Sequence, residues 1–214
     1  AANEAFFPIT ETSINKEGIS QQKYVEAKDV IAGGVGRLSK RPENHLPEQW
    51  PSYYSKCGPG PYVEDLDGNR YMECAYGTCY SVLGFNDPDV NAAVHDAVDS
   101  GVMCTLNVPE EVELAKKLIE LHPWAKGGSC KFARGGGEVN TIAARLARAH
   151  TKRDKIAFCG YHGWADFYLA ANVGGKDGIA GHQITGLKPA GVPEGLGMTM
   201  LPWRYNCIEE LEAI

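Results

Sequence analysis

Apolar positions along the chain change their spacing from one stretch to the next, and each spacing predicts a different element. Tyr62-Val63-Glu64-Asp65-Leu66 and Arg70-Tyr71-Met72-Glu73-Cys74 flank Asp67-Gly68-Asn69. Two such runs around a short Asp/Gly/Asn turn predict a β-hairpin. Further on, Val90, Ala93, Val94, Ala97 and Val98 recur at helical spacing, between Asp87-Pro88 and Gly101. That punctuation predicts an N-cap, a first-turn proline and a stop, and the stripe predicts a helix with one buried face. A second helix is predicted from Pro109, with Glu110 and Glu111 opposing its positive end, to just before His122-Pro123. Its apolar set is Val112, Leu114, Ala115, Leu118 and Ile119.

The next passage reads as strand, turn, helix, strand. Cys130–Ala133 is short and strand-like, and Gly135-Gly136-Gly137 is a glycine turn. A helix is predicted from about Glu138 to His150, with Val139, Ile142, Ala143, Leu146 and Ala147 on one face. Lys155–Cys159 is strand-like and ends at Gly160-Tyr161-His162-Gly163. Such βαβ units build parallel sheets with helices on both faces, so the fold class expected is α/β. Residues 1–60 are weakly patterned and read as an arm or small N-terminal segment. Residues 171–197 are rich in glycine and lack periodicity, which predicts a long flexible loop. Met198–Leu201 reads as one more short strand, and Asn206 as the cap of a helix carrying Ile208 and Leu211. That helix breaks off at Ile214 after about two turns, a length marginal in isolation, so the chain is expected to be truncated.

Composition narrows the classes. A chain of 214 residues, 43% hydrophobic and 22% charged, has enough apolar surface to fold without disulfide or metal staples. Its net charge of −6 argues against nucleic acid or an anionic membrane as a main partner. No apolar run approaches the roughly 18 residues of a membrane span. The 7 scattered cysteines, with no C-x-x-C pair, read as reduced thiols of a cytoplasmic protein.

Candidate chemistry concentrates at Gly135–Gly137. Glycines between a strand and a helix let backbone approach a ligand, and the helix supplies unpaired amides and a positive dipole end. The turn therefore reads either as a phosphate cradle or as a tight connection only. Neither common nucleotide motif fits, because Asn140 stands at the third glycine of the dinucleotide fingerprint and no G-K-[ST] follows. Tyr161-His162-Gly163 lies where a strand end meets the same crevice, so Tyr161 is either a plate for a planar ligand or a surface-loop residue.

Phe132 to Leu169 resembles the cofactor-binding half of the class III aminotransferases, which use pyridoxal phosphate. Among these it is most similar to the glutamate-1-semialdehyde aminomutase branch and its sugar-pathway relatives. The resemblance rests on Gly136-Gly137-Glu138, Arg145–Ala149, Thr151–Ile156 and Tyr161–Gly163, in order and spacing. The hairpin Asp65–Tyr71, Leu83-Gly84 to Val90 and Pro109-Glu110-Glu111 match as well.

The resemblance implies a fold-type I large domain, a parallel-rich sheet with helices on both faces. Residues 61–214 would be its first half, after the 1–60 segment. It implies an aminotransferase or aminomutase acting on small amino donors and acceptors, with a homodimer as the full-length form. By position, the amides of Gly136 and Gly137, next to Gly135, would hold the cofactor phosphate. Tyr161 would stack on the pyridine ring with His162 beside it. Where many relatives place hydroxyl residues, Gly135 and Gly137 leave the work to the backbone. The substrate carboxylate would meet a basic residue, for which Arg37, Lys40 and Arg41 all stand as candidates. The Schiff-base lysine and the acid facing the ring nitrogen are expected beyond Ile214, since no lysine here has the family's context. This segment alone is thus expected not to transaminate. Two other readings are a non-catalytic half-domain for assembly and a phosphate-binding βα module for another ligand.

Overall fold

The hairpin forms where the apolar alternation places it. In the computed structural model, which describes residues 17–44, 51–173 and 188–214, strands β1 (Tyr54–Cys57), β2 (Tyr62–Asp65) and β3 (Arg70–Met72) make an antiparallel sheet in that order. Tyr62 pairs with Met72, Val63 with Tyr71 and Glu64 with Arg70. The turn is held from inside by the buried carboxylate of Asp65. It accepts the amides of Asp67 (2.9 Å) and Asn69 (2.8 Å), the Asn69 side-chain amide (3.0 Å) and the Tyr71 hydroxyl (2.8 Å). Burial, then the Asp65 carboxylate, pushes the pKa of Tyr71 well above that of an ordinary tyrosine, so its hydroxyl stays a donor.

The chain divides into two units at Leu106/Asn107. The hairpin belongs to the first, which also contains a helix, α1 (Ile19–Val30), inside the stretch read as weakly patterned. Its packing residues explain why the pattern is faint, since Ser20, Tyr24 and Ala27 are buried and only one of them is large and apolar. Gly18 offers the first turn no side-chain cap. Asp67 supplies it instead, accepting the amides of Ile19 (2.8 Å) and Ser20 (3.1 Å). Ser20, fully buried, donates to the Tyr53 carbonyl (2.9 Å) and accepts the Leu66 amide (3.1 Å). Ser20→Ala leaves both backbone groups without that partner, which costs about 1–3 kcal/mol. A lower urea midpoint at unchanged slope is the expected result.

Helix α2 (Pro88–Asp99) starts as predicted, with the Asp87 carboxylate accepting the amides of Asp89 and Val90, both at 3.0 Å. Its apolar stripe, expected to be buried, is not: Val90, Val94 and Val98 are each about half exposed. Helical spacing says that a face can be buried; what covers it depends on contacts the spacing does not encode. Between β3 and α2, Tyr76, Gly77, Thr78 and Cys79 all have φ between 51° and 67°. This left-handed run is unfavourable for Thr78, whose β-branch crowds the backbone. The Glu73 carboxylate tethers it by accepting the amides of Ala75 (2.9 Å) and Gly77 (2.8 Å).

The second unit holds α3 (Pro109–Leu121), α4 (Gly136–Thr151), β4 (Ile156–Phe158), the short α5 (Asp166–Leu169), β5 (Met200–Pro202) and α6 (Ile208–Glu212). Strands β4 and β5 pair in parallel, Ile156 with Met200 and Phe158 with Pro202. The expected strand at Cys130–Ala133 carries no ladder, because a strand exists by pairing and no described residue pairs with it. Helix α6 is preceded by Cys207 rather than capped by Asn206, whose φ of 62° is left-handed. Phe158, Tyr168, Ala170, Ala171 and Met200 form the core of this unit, with Ile156, Phe167, Leu169, Val192 and Leu196 against it.

Helix α4 turns a different face inward from the one its apolar stripe predicts. Ala144 is buried and Asn140, Thr141 and Arg148 are half-buried, while of the predicted stripe only Ile142 is half-buried and Val139, Ala143, Leu146 and Ala147 are exposed. Polar bonds hold it there, with Arg148 Nε donating to the Asp154 carbonyl (2.8 Å) and Nη2 reaching that of Thr199 (3.5 Å). The long-loop reading of 171–197 falls mostly on 174–187, outside the described residues. Its described ends include 3₁₀ turns at Ala170–Asn172 and Glu194–Leu196. No helix among the described residues is long and apolar enough to cross a membrane.

Candidate functional site

The three glycines lie within the start of α4 rather than before it. Gly135 is the extended N-cap (φ −162°, ψ 165°), and Gly136 and Gly137 are the first two helical residues. The first intrahelical bond runs from the Val139 amide to the Gly135 carbonyl at 3.1 Å. The amides of Gly136, Gly137 and Glu138 therefore precede the helical ladder, and Gly135 has no side chain to cap them. The Glu138 carboxylate turns back to the amide of Arg134 at 2.9 Å. A Cβ built on Gly135, Gly136 or Gly137 would meet nothing within 4 Å. The helix thus begins with no atom crowding the Cβ positions of its glycines and with amides outside the helical ladder at its positive end, the arrangement by which helix starts receive anions.

Tyr161-His162-Gly163 meets this helix start directly. Gly163 has φ +104°, and a Cβ there would lie 3.0 Å from the Cα of Gly137. One turn along the helix, Asn140 Nδ2 donates to the His162 carbonyl at 3.4 Å. The sequence marks Asn140 only as a break in a nucleotide fingerprint; its use as a tether appears only in the fold. The His162 ring is occupied with its own loop. Its Nε2 lies 3.0 Å from the Cys159 carbonyl, which can only accept, so the proton sits on Nε2. Its edge packs near Phe158, centroids 5.9 Å apart. Tyr161 is 44% exposed, its ring meeting that of Tyr168 edge-on at 5.7 Å.

Of the three basic candidates for a substrate carboxylate, Arg37 is exposed and Nη1 lies 3.3 Å from the Tyr80 hydroxyl. Lys40 is exposed, and Arg41 is half-buried against Gly33, where a Cβ would collide with its guanidinium. All three belong to the first unit and the glycine site to the second.

Comparison with known proteins bears on the family of the chain. Residues 47–190 match the family aminotransferase class-III. The chain is 31% identical over 199 residues to a 3-aminobutyryl-CoA aminotransferase of Cloacimonas acidaminovorans, covering 91% of this chain and 42% of that protein. It is 34% identical over 197 residues to a glutamate-1-semialdehyde 2,1-aminomutase of Francisella philomiragia, covering 91% and 43%. Among solved structures, an omega-transaminase from Sphaerobacter thermophilus superposes with a TM-score of 0.75 at 25% identity, covering 95% of this chain and 45% of that one. The chain spans less than half the length of the relatives it matches. With the family match over most of its length and a fold shared with transaminases, this chain belongs to the class III aminotransferases.

Proposed function

We propose that this chain carries the cofactor-binding part of a pyridoxal-phosphate-dependent aminotransferase or aminomutase. The supporting observation is the meeting of a capless glycine helix start with the Tyr161–Gly163 loop, so close that a Cβ on Gly163 would lie 3.0 Å from the Gly137 Cα. The residues fit the cofactor: no atom crowds the Cβ positions of Gly136 and Gly137, whose amides can receive a phosphate, and an exposed aromatic ring lies two residues before the glycine contact.

In this reading the amides of Gly136 and Gly137 donate to the phosphate, and the α4 dipole favours its charge. The ring of Tyr161 lies against the face of the pyridine and orients it. His162 orders the loop through its Cys159 and Asn140 bonds, leaving the phosphate to the amides. When bound, pyridoxal phosphate supplies an electron sink for chemistry at the carbon bearing the amino group. Substrates in this reading are small amino donors and acceptors, the working form is a homodimer, and the compartment is the cytoplasm.

The test is titration with pyridoxal phosphate and with pyridoxamine phosphate, followed by absorbance and by circular dichroism in the cofactor band. Saturable binding with an induced signal is the expected result; no binding of either cofactor form at millimolar concentration overturns the reading. Tyr161→Ala is expected to weaken pyridoxamine phosphate binding about fivefold, the equivalent of stacking worth roughly 1 kcal/mol. The dissociation constants of the two proteins check it.

A further inference from the structure

Tyr168 belongs to no part of the site described so far, yet it is the most deeply packed large side chain near it. It is 2% exposed, and its hydroxyl lies 3.3 Å from the Gly160 carbonyl, immediately before Tyr161. Its ring meets four neighbours edge-on: Phe158 at 5.3 Å, Tyr161 at 5.7 Å, His162 at 6.0 Å and Phe167 at 6.5 Å. Burial, and then Tyr161, raises the pKa of its phenol. The hydroxyl thus engages the main chain immediately before Tyr161, and the ring supports the side chain of Tyr161 itself.

Core packing alone does not require this arrangement. A leucine or phenylalanine at this point in the core satisfies the apolar contacts with Phe158 and Met200, and a buried hydroxyl carries a desolvation cost unless it is bonded. Here the bond goes to Gly160, the residue immediately before Tyr161. Gly160 and Gly163, at φ 85° and 104°, leave the loop backbone in conformations that few other residues would hold, so its orientation depends on such outside support.

We infer that Tyr168 is a positioning residue that sets the plane of the Tyr161 ring, and through it the seat of the cofactor's pyridine. This rests on the reading of Tyr161 as the stacking residue.

The experiment is a double-mutant cycle on the purified protein, with pyridoxamine 5′-phosphate as a non-covalent probe. Tyr168→Phe removes the hydroxyl while keeping the ring in the core, so folding is preserved. Its dissociation constant and the induced circular dichroism of the bound probe are measured beside those of Tyr161→Ala and the double variant. Tyr168→Phe is expected to weaken binding roughly three- to tenfold, as loss of one hydrogen bond does, and to reduce the induced signal. In the Tyr161→Ala background the same change is expected to have no effect on either quantity. Equal losses in both backgrounds would show that Tyr168 acts on the fold at large, overturning the inference while Tyr161 keeps its role. Unchanged affinity and signal in Tyr168→Phe would overturn it in the same way. Full affinity in Tyr161→Ala would remove the stacking reading, and this inference with it.

Discussion

Gly136→Val is expected to lose at least about tenfold in affinity for pyridoxamine phosphate while unfolding at nearly the parent denaturant concentration. The two halves of that result come from the same observation. A Cβ at Gly136 meets nothing within 4 Å, so the larger side chain needs no rearrangement of the chain. Valine is also no worse than glycine as a helical residue. The added side chain, however, stands beside the first-turn amides, and in the proposed reading a phosphate that it keeps at a distance loses charge-assisted bonds worth about 1.5–3 kcal/mol each. Equilibrium titration and urea unfolding of the same preparation check both halves. Unchanged affinity would mean that the phosphate does not sit over this turn.

Gly163→Ala is expected to damage stability and binding together. Its φ of +104° disfavours any side chain, a strain of about 1–3 kcal/mol, and the added Cβ would come within 3.0 Å of the Gly137 Cα. The loop must then move off the helix start, carrying Tyr161 and the His162–Asn140 bond with it. Gly191→Ala separates the two effects, because Gly191 has φ +91° but open space at its Cβ. It is expected to show strain alone, with the cofactor affinity of the parent. Urea midpoints and dissociation constants of the two variants make the comparison. Equal midpoints and equal affinities would mean that the Gly163–Gly137 approach has no role in the site.

Both predictions concern glycines, and they mark where sequence reading reaches its limit. Gly135–Gly137 stands out in the sequence because three glycines before an amphipathic stretch have few explanations. Which of them enters the helix was not legible there: the expected start near Glu138 gives way to Gly136, since first-turn amides need no partner and glycine accepts helical dihedrals. Tyr168 and Asn140 look like ordinary positions, one apolar within a short run and one a break in a motif. Their roles come from atoms far apart in the chain, a hydroxyl meeting the backbone of Gly160 and an amide meeting that of His162. Ser20 and Asp67, 47 residues apart, are the same case in the first unit.

Local chemistry by itself determined the hairpin at Tyr62–Met72, the Asp87 cap and proline start of α2, the extent of α3 and the presence of a helix start at the glycine turn. Each depends on interactions within a few residues, where dihedral preference and hydrogen-bond geometry leave few choices. Tertiary structure alone decided which face of α4 turns inward, that α1 forms in a weakly patterned stretch, and that Cys130–Ala133 finds no strand partner among the described residues while Met200–Pro202 becomes the partner of β4. Those outcomes depend on which distant surfaces meet. Helical spacing specifies a face to be covered and strand composition a ladder to be completed, but the covering and completing groups are supplied by the fold.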